Sequence, residues 1–191
     1  MINLKKSLDE LRNYKETFLN RKKAYYGKSV NFFVDEIKLP NGNKSTREYT
    51  KHPGAVTVLP FLDSKRIVLV KQYRYPVHKL TYELPAGKLK QNENPVSCVR
   101  RELIEETGFH AKHVKKLISY WPTPAFSTEV IHIYIADTLV PVKGSPDDDE
   151  FIDKIILTFD YAFNLIKRGI IRDSKTIIAL LLYKIKKERI L

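Results

Sequence analysis

The clearest hydrophobic pattern in the chain is the helical one between Asn94 and Gly108. Asn94 followed by proline is typical of a helix N-cap with proline at the first helical position, and Gly108 is typical of the residue that ends a helix. The pattern therefore predicts a helix over Pro95–Thr107. Its apolar residues recur at the helical spacing and form one narrow stripe, made of Val96, Val99 and Leu103.

Runs of β-branched and aromatic residues predict strands on both sides of this helix. Before the helix, the predicted strands cover residues 30–39, 45–51, 55–62, 66–73 and 82–86. After the helix, they cover residues 114–121, 130–139 and 151–158. Two closing helices are predicted over residues 160–167 and Ser174–Lys187.

The N-terminal part of the chain has a pattern of its own. Residues 1–20 alternate apolar and charged positions, which predicts a short helix or a weakly docked arm. The tight turn signal Pro-Asn-Gly-Asn at residues 40–43 joins the strands on either side into a hairpin. A length of 191 residues fits one domain with a sizeable core. We therefore divide the chain into an N-terminal helix and hairpin, residues 1–51, and a main domain, residues 52–191.

The predicted helix carries three carboxylates beside its apolar stripe. Glu102, Glu105 and Glu106 lie within about 100° of arc. Like charges three and four residues apart destabilise a helix by roughly a few tenths of a kcal/mol per pair unless a cation neutralises them. Carboxylate oxygens at this spacing suit Mg²⁺ or Mn²⁺, and Arg101, one turn before Glu105, could orient one carboxylate. A solvated acidic face is the alternative, because charge runs usually face water.

The spacing around these carboxylates favours the metal interpretation. Gly87 is followed after five residues by Glu93, and after seven more by the run Arg-Glu-Leu-Ile-Glu-Glu-Thr-Gly-Phe at residues 101–109. This arrangement resembles the motif of the Nudix hydrolases at every fixed position. In that family the loop and helix hold divalent metal ions that bridge a diphosphate, and water attacks a phosphorus. The resemblance implies that Glu102 and Glu106 are direct metal ligands and that Glu105 is a ligand or a water holder. It also implies a backbone carbonyl ligand from Ala86.

Outside the motif, the chain resembles the ADP-ribose pyrophosphatase branch of the same family. Arg47 stands where that branch places an arginine ahead of a His-Pro-Gly-Ala segment, here residues 52–55. In that branch a similar N-terminal sheet exchanges between the subunits of a homodimer. The resemblance therefore implies that the hairpin serves dimerisation and that Arg47 reaches the substrate pocket of the other subunit.

The same resemblance implies further substrate-binding residues. Arg74, in the run at residues 72–76, is implied as a diphosphate contact, because a guanidinium binds phosphate bidentately. Glu83 is either a substrate-binding carboxylate or merely a charge at a strand end. The proline-rich connection at residues 122–129 is typical of a specificity loop. Because residues 121–133 look like that branch, they add Pro124 and Glu129 as substrate-binding candidates.

An acidic run, Asp-Asp-Asp-Glu, occupies residues 147–150 ahead of the last predicted strand. Such a loop is usually just solvated. In the ADP-ribose pyrophosphatase branch, however, a comparable loop supplies the residue that deprotonates or positions the attacking water. The offset from the following strand favours Glu150 for this role, with Asp148 second. A base from outside the motif is chemically reasonable, because carboxylates bound to metal make poor bases.

Composition narrows the range of partners. A net charge of +12 favours polyanions, but the basic residues are spread over the chain without an RNA-binding motif. We interpret them as solvated surface with some attraction for phosphorylated small molecules.

The single cysteine, Cys98, excludes an internal disulfide and is expected in the core rather than as a nucleophile. The five histidines show no ligand spacing, and no apolar run approaches the roughly 20 residues that span a bilayer. These features predict a cytoplasmic protein.

The sequence and the resemblance together predict an α/β protein with the Nudix fold. Its mixed, partly antiparallel sheet would be sandwiched between helices, with an N-terminal antiparallel hairpin used for dimerisation. The implied reaction is hydrolysis of ADP-ribose to AMP and ribose 5-phosphate with Mg²⁺ or Mn²⁺. The alternatives are another nucleoside diphosphate sugar, the 5′ end of RNA, and an ADP-ribose-sensing module without turnover. The motif glutamates, all present, argue against the sensing module, and the hairpin and the 121–133 loop argue against RNA.

Overall fold

The computed structural model describes residues 13–28, 30–143 and 151–188. These residues divide into two compact units. The N-terminal unit contains residues 13–28 and 30–52 together with Thr123–Glu129, and the main unit contains the remaining described residues. Asp148 and Glu150, the two candidates for handling the attacking water, lie outside the described residues.

The N-terminal unit is built on a three-stranded antiparallel sheet. Its strands are β1 (Thr17–Tyr26), β2 (Asn31–Lys38) and β3 (Lys44–Lys51), in that spatial order. The predicted hairpin is present as β2 and β3, and Gly42 adopts the left-handed conformation that its tight turn requires (φ +90°). The prediction of a helix or arm over residues 1–20 is wrong from Thr17 onward, where β1 begins; residues 1–12 lie outside the described ranges.

The strand β1 was missed because its sequence carries no burial pattern. All ten of its residues are exposed, so apolar and polar positions do not alternate as they would on a half-buried strand. Its contacts to β2 come from residues far apart in the chain. Arg21 donates two hydrogen bonds to the buried carboxylate of Asp35, at 2.7 and 3.0 Å, and lies 3.9 Å from the centre of the Phe33 ring. These contacts place β1 in the sheet. Local sequence propensity does not predict them, because they join residues that are distant in the chain.

The main unit contains two further sheets. A mixed sheet has the order β7 (Ala86–Lys88), β4 (Ala55–Pro60), β9 (Ile131–Pro141) and β8 (Phe109–Tyr120), with β4 and β9 parallel and the other pairs antiparallel. An antiparallel sheet has the order β10 (Ile152–Thr158), β5 (Arg66–Arg74) and β6 (Lys79–Glu83). The helices are α1 (Pro95–Thr107), α2 (Phe159–Lys167) and α3 (Ser174–Lys187).

The core lies on both faces of the central strands. On β5, Ile67 and Leu69 pack toward the cluster that contains residues of α2 and α3, whereas Val68 packs toward the cluster that contains residues of α1. Alternating side chains of a strand point to opposite faces, so the strands are covered by helices on both sides. The predicted class, a mixed α/β sheet sandwiched between helices, is therefore confirmed.

Several boundaries follow from local chemistry, and two predictions are wrong. Helix α1 has the predicted bounds: the Asn94 side chain accepts a hydrogen bond from Val96 N at 2.9 Å, and Gly108 closes the helix at φ +70°. The strand predicted at residues 82–86 is divided, because Pro85, which has no N–H, separates β6 from β7 and the two belong to different sheets. Strand β8 begins at Phe109, directly after the helix, rather than at Val114.

None of the helices in the described ranges combines the length and the apolar character needed to cross a membrane.

Cys98 is fully buried, and burial raises the pKa of its thiol to about 12. The expectation that Cys98 belongs to the core is confirmed.

Candidate active site

The acidic face of α1 lies against strand β7. Glu106 Oε2 accepts a hydrogen bond from the backbone N–H of Ala86 at 3.0 Å. Gly87 has no side chain in the space where the Glu102 carboxyl group sits: a Cβ atom added to Gly87 would lie only 1.9 Å from that group. Both Glu102 and Glu106 are buried. The glycine at the start of the motif is therefore required by the close approach of a carboxylate to the backbone.

Arg101 holds three motif glutamates at once. Its Nη1 donates to Glu102 Oε1 at 2.6 Å and to Glu105 Oε2 at 2.9 Å. Its Nε and Nη2 donate to the two oxygens of Glu93 at 2.9 and 3.0 Å. The hydrogen bond from Arg101 is the main reason that the pKa of Glu93 falls to about 2. The expected contact between Arg101 and Glu105 is present, and contacts with Glu93 and Glu102 are added to it.

The carboxylates fit a divalent ion in chemistry, although they do not converge on one point in this conformation. Within residues 13–28, 30–143 and 151–188, no three His, Cys, Asp or Glu side chains are arranged to hold a metal ion. The physical reason is that Arg101 stands between Glu102 and Glu105, and Glu106 points to Ala86 N. Three hard oxygen donors on one face are still the set that Mg²⁺ prefers. Binding an ion there requires Glu102 and Glu105 to exchange the guanidinium for the metal.

A second charged cluster surrounds Glu83 at the end of β6. Arg74 binds its two carboxylate oxygens bidentately at 2.8 and 2.7 Å. The Thr81 hydroxyl donates to it at 2.6 Å, and Lys175 Nζ donates at 2.5 Å. Burial alone would raise the pKa of Glu83, but Arg74 and Lys175 outweigh burial and lower the pKa to about 2. Glu83 is therefore a buried anion in a network of cations, not a solvated strand-end charge.

A cavity of about 820 Å³ opens beside this cluster. Arg74, Glu83 and Lys175 line one side of it. The rest of its wall mixes basic and apolar side chains, among them Lys79, Arg172, Val77, Leu80 and Ile170. The hydrogen bond to Glu83 is the main cause that raises the pKa of Arg74, and the charge of Glu106 contributes as well. Arg74 thus lies within electrostatic reach of the acidic face of α1.

Three predicted substrate-binding residues belong to the N-terminal unit and not to the unit that contains α1. They are Arg47, Pro124 and Glu129. Arg47 donates to the carboxylate of Glu16, with Nε 2.9 Å from Oε2. Glu129 Oε1 lies 3.7 Å from His52 Nδ1. Pro124 sits in the segment Thr123–Glu129, which is tied to β3 by backbone hydrogen bonds between Thr50 and both Phe126 and Thr128. Their contribution to a substrate site stays a prediction.

Helix α3 supplies neighbours of Glu83 that the motif does not predict. At the start of this helix, Lys175 donates to Glu83 and the Thr176 hydroxyl accepts from Leu84 N. The N-cap residue Asp173 accepts from both Lys175 and Thr176. Glu93 was recognised as a motif position, but its pairing with Arg101 was not anticipated. The available signal was the Ile-Arg-Asp-Ser-Lys-Thr run at residues 171–176, which resembles the ADP-ribose pyrophosphatase branch.

Comparison with known proteins agrees with this arrangement. A family model described as the NUDIX domain matches residues 51–179. A methanol dehydrogenase activator of Bacillus methanolicus is 42% identical over 168 residues, covering 87% of this chain and 91% of the relative. An ADP-ribose pyrophosphatase of Bacillus subtilis (strain 168) is 35% identical over 178 residues, covering 92% and 96%. A GDP-mannose pyrophosphatase of Klebsiella pneumoniae is 34% identical over 141 residues, covering 69% and 71%.

The fold is also known from a solved structure. The crystal structure of an ADP compounds hydrolase matches with a TM-score of 0.81 at 20% identity, covering 91% of this chain and 96% of that chain. The chain belongs to the NUDIX family and is a Nudix hydrolase similar to ADP-ribose pyrophosphatases.

The close contact at Gly87 generates a specific prediction. In Gly87→Ala the new methyl group takes the place of the Glu102 carboxylate. We expect the affinity for Mn²⁺ to fall by about 10- to 100-fold, because a displaced ligand no longer meets the ion. The melting temperature should change little, since only the end of a flexible side chain must move. Titration of Mn²⁺ by electron paramagnetic resonance and thermal unfolding measure the two effects.

Glu102→Asp provides the control for this experiment, because its shorter side chain leaves room for the methyl group. The double variant should bind Mn²⁺ no more weakly than Glu102→Asp alone. Fully additive losses would show that Gly87 acts elsewhere than at Glu102.

Proposed function

We propose that this chain hydrolyses the diphosphate of a nucleoside diphosphate sugar, with ADP-ribose as the substrate and AMP and ribose 5-phosphate as the products. The observation that carries the proposal is the position of Arg74, which is held by Glu83 and lines a cavity of about 820 Å³. A diphosphate is stabilised by a divalent ion on one side and a fixed cation on the other. The acidic face of α1 would hold the ion, and Arg74 supplies the fixed cation. The 35% identity to an ADP-ribose pyrophosphatase over 92% of the chain supports the choice of substrate.

In this proposal each residue has a defined role. Glu102 and Glu106 would hold a divalent ion, together with Glu105 and the carbonyl group of Ala86. When bound, the ion supplies charge neutralisation for the diphosphate and makes a bound water more acidic. Arg74 would bind a phosphate oxygen, and Arg101 holds the carboxylates of α1 together until the ion takes its place.

The bond changes balance with water as the only co-reactant. A water oxygen forms a bond to one phosphorus while the bridging oxygen of the diphosphate leaves with the other half of the substrate. An acid of the 147–150 loop accepts or orients the proton of the water, with Glu150 as the first candidate and Asp148 as the second.

Another nucleoside diphosphate sugar remains the second candidate substrate. The specific observation in its favour is the GDP-mannose pyrophosphatase that is 34% identical over 141 residues. The motif and Arg74 address the diphosphate, which both substrates share, so the nucleoside and the sugar must be recognised elsewhere.

The substrate is tested by a screen with purified chain and Mg²⁺. ADP-ribose, GDP-mannose, UDP-glucose, ADP-glucose, NADH and capped RNA are compared by kcat/KM, with the products identified. We expect ADP-ribose to give the highest value and to yield AMP and ribose 5-phosphate. Preference for GDP-mannose would establish the second candidate, and turnover of none of these compounds would overturn both.

The metal-binding role of Glu106 is tested by Glu106→Gln, which keeps the shape of the side chain but removes its charge. This variant should lose at least about 100-fold in rate while remaining folded.

The water-handling residue is tested by a pair of variants in the acidic loop. Glu150→Gln should lower kcat by about 10²- to 10⁴-fold with little change in KM, which is the usual cost of losing a general base. Asp148→Asn is the matched control and should retain most of the activity. Collapse of kcat in Asp148→Asn alone would move the role to that residue. Full activity of both variants would assign water activation to the motif glutamates.

We also propose that the β2–β3 hairpin contributes to a homodimer in which Arg47 serves the site of the other copy. The exposed aromatic side chains of β1, including Phe18, Tyr25 and Tyr26, support an interface on this sheet. Arg47 would then exchange its partner Glu16 for the substrate.

Complementation between two inactive variants tests this exchange. Arg47→Ala and Glu106→Gln are co-expressed, and sedimentation at micromolar concentration should show a dimer. Random pairing of the two variants makes half of the dimers heterodimers, and each heterodimer has one intact site out of two. About a quarter of the wild-type activity should therefore return. A fully active monomer, or no recovery in a mixed dimer, would contradict the proposal.

A further inference from the structure

The charged cluster around Glu83 joins two parts of the chain that lie far apart in sequence. Lys175, 92 residues beyond Glu83, places its Nζ between Glu83 Oε2 at 2.5 Å and Asp173 Oδ1 at 2.8 Å. The side chain of Glu83 is 3% exposed and that of Lys175 is 13% exposed. The charges of two carboxylates, Glu83 and Asp173, are therefore balanced by two cations, Lys175 and Arg74.

The first turn of α3 fixes this cluster to the sheet. Asp173 caps the helix, accepting from Thr176 N at 3.0 Å and from Thr176 Oγ1 at 2.6 Å. The same Thr176 hydroxyl accepts a hydrogen bond from Leu84 N at 2.8 Å, and Thr176 is fully buried. Lys175 therefore reaches Glu83 from a rigid position, because its helix is attached to the residue that follows Glu83.

Arg74 is the most exposed of these four charged side chains. Its side chain is 44% exposed and borders the cavity. Two of its nitrogens, Nε and Nη2, are engaged by Glu83, whereas Nη1 makes no hydrogen bond to any of the described residues. Glu83 thus orients the guanidinium and leaves one edge of it facing the cavity.

We propose that Lys175 is a positioning residue for anion binding: by sharing Glu83, it leaves Arg74 with positive charge to offer to a phosphate in the cavity. This inference rests on the proposed function, in which Arg74 contacts the diphosphate. Without Lys175, Arg74 alone would balance two carboxylates, and the cluster would change from neutral to a net charge of −1. The positive charge of Arg74 would then be taken up by the carboxylates, and a phosphate group at Arg74 would bind more weakly.

The test compares substitutions of Lys175 for their effect on ligand affinity. Lys175→Met keeps the length of the side chain and removes its charge. We expect the KM for ADP-ribose and the Kd for inorganic pyrophosphate, measured by calorimetry, each to rise about tenfold, while kcat changes less than about threefold. Lys175→Arg should restore most of the affinity because it keeps the charge. Lys186→Met, at the exposed end of the same helix, is the matched control and should leave both constants unchanged.

A double variant separates positioning from a direct contact. In the Arg74→Ala background, Lys175→Met should add less than about twofold, since Lys175 acts through Arg74. Unchanged pyrophosphate affinity in folded Lys175→Met, or an undiminished effect in the Arg74→Ala background, would overturn the inference. If Lys175→Met does not fold, Lys175→Gln, which keeps a donor but no charge, is measured for the same outcomes. Pyrophosphate binding needs no turnover, so a chain that fails to hydrolyse ADP-ribose would still give a result on Lys175.

Discussion

The guanidinium of Arg101 holds together carboxylates that would otherwise repel one another. Glu93, Glu102 and Glu105 all bind it within 3.0 Å, and Glu106 is kept apart from them by its hydrogen bond to Ala86 N. Like charges on one helix face cost stability, so Arg101 stabilises the acidic surface of α1 when no metal is bound. The same arrangement keeps the carboxylates close enough to accept an ion in its place. Arg101 therefore both stabilises the motif without metal and keeps its carboxylates close together for an ion.

The segment from Glu83 to Gly87 connects the two charged clusters. It leaves the antiparallel sheet at the end of β6 and enters the mixed sheet at β7, with Pro85 between them. Its backbone is held from several sides: Leu84 N binds the Thr176 hydroxyl, and Pro85 O accepts from Val58 N and the Thr57 hydroxyl, both at 3.0 Å. Because so short a segment is fixed at both ends, the cluster at Arg74 and the acidic face of α1 keep a constant separation. In the proposed function, a diphosphate that bridges them would meet a preorganised site.

Sequence reasoning was accurate where the determining interactions are local. The bounds of α1 depend on Asn94, on the proline after it and on Gly108, all within the helix or next to it. The acidic patch follows from helical geometry alone. Two contacts join residues that are distant in sequence: Lys175 and Glu83 are 92 positions apart, and Arg21 and Asp35 are 14 positions apart. No periodic pattern in the sequence predicts either contact. The strand β1 was missed for the same reason, since only its pairing with β2 distinguishes it from an exposed arm.

Specificity must come from residues outside the motif. The NUDIX match spans residues 51–179, and relatives named for ADP-ribose and for GDP-mannose both align with this chain. A common motif cannot distinguish two bases or two sugars, because it addresses the diphosphate that both substrates contain. The proposed specificity residues Pro124 and Glu129 lie on a segment whose backbone is hydrogen-bonded to Thr50 at the end of β3. If this segment contacts the nucleoside or the sugar, a change in the N-terminal sheet will alter substrate choice without touching the metal ligands. Selectivity and catalysis would then be able to change independently in this chain.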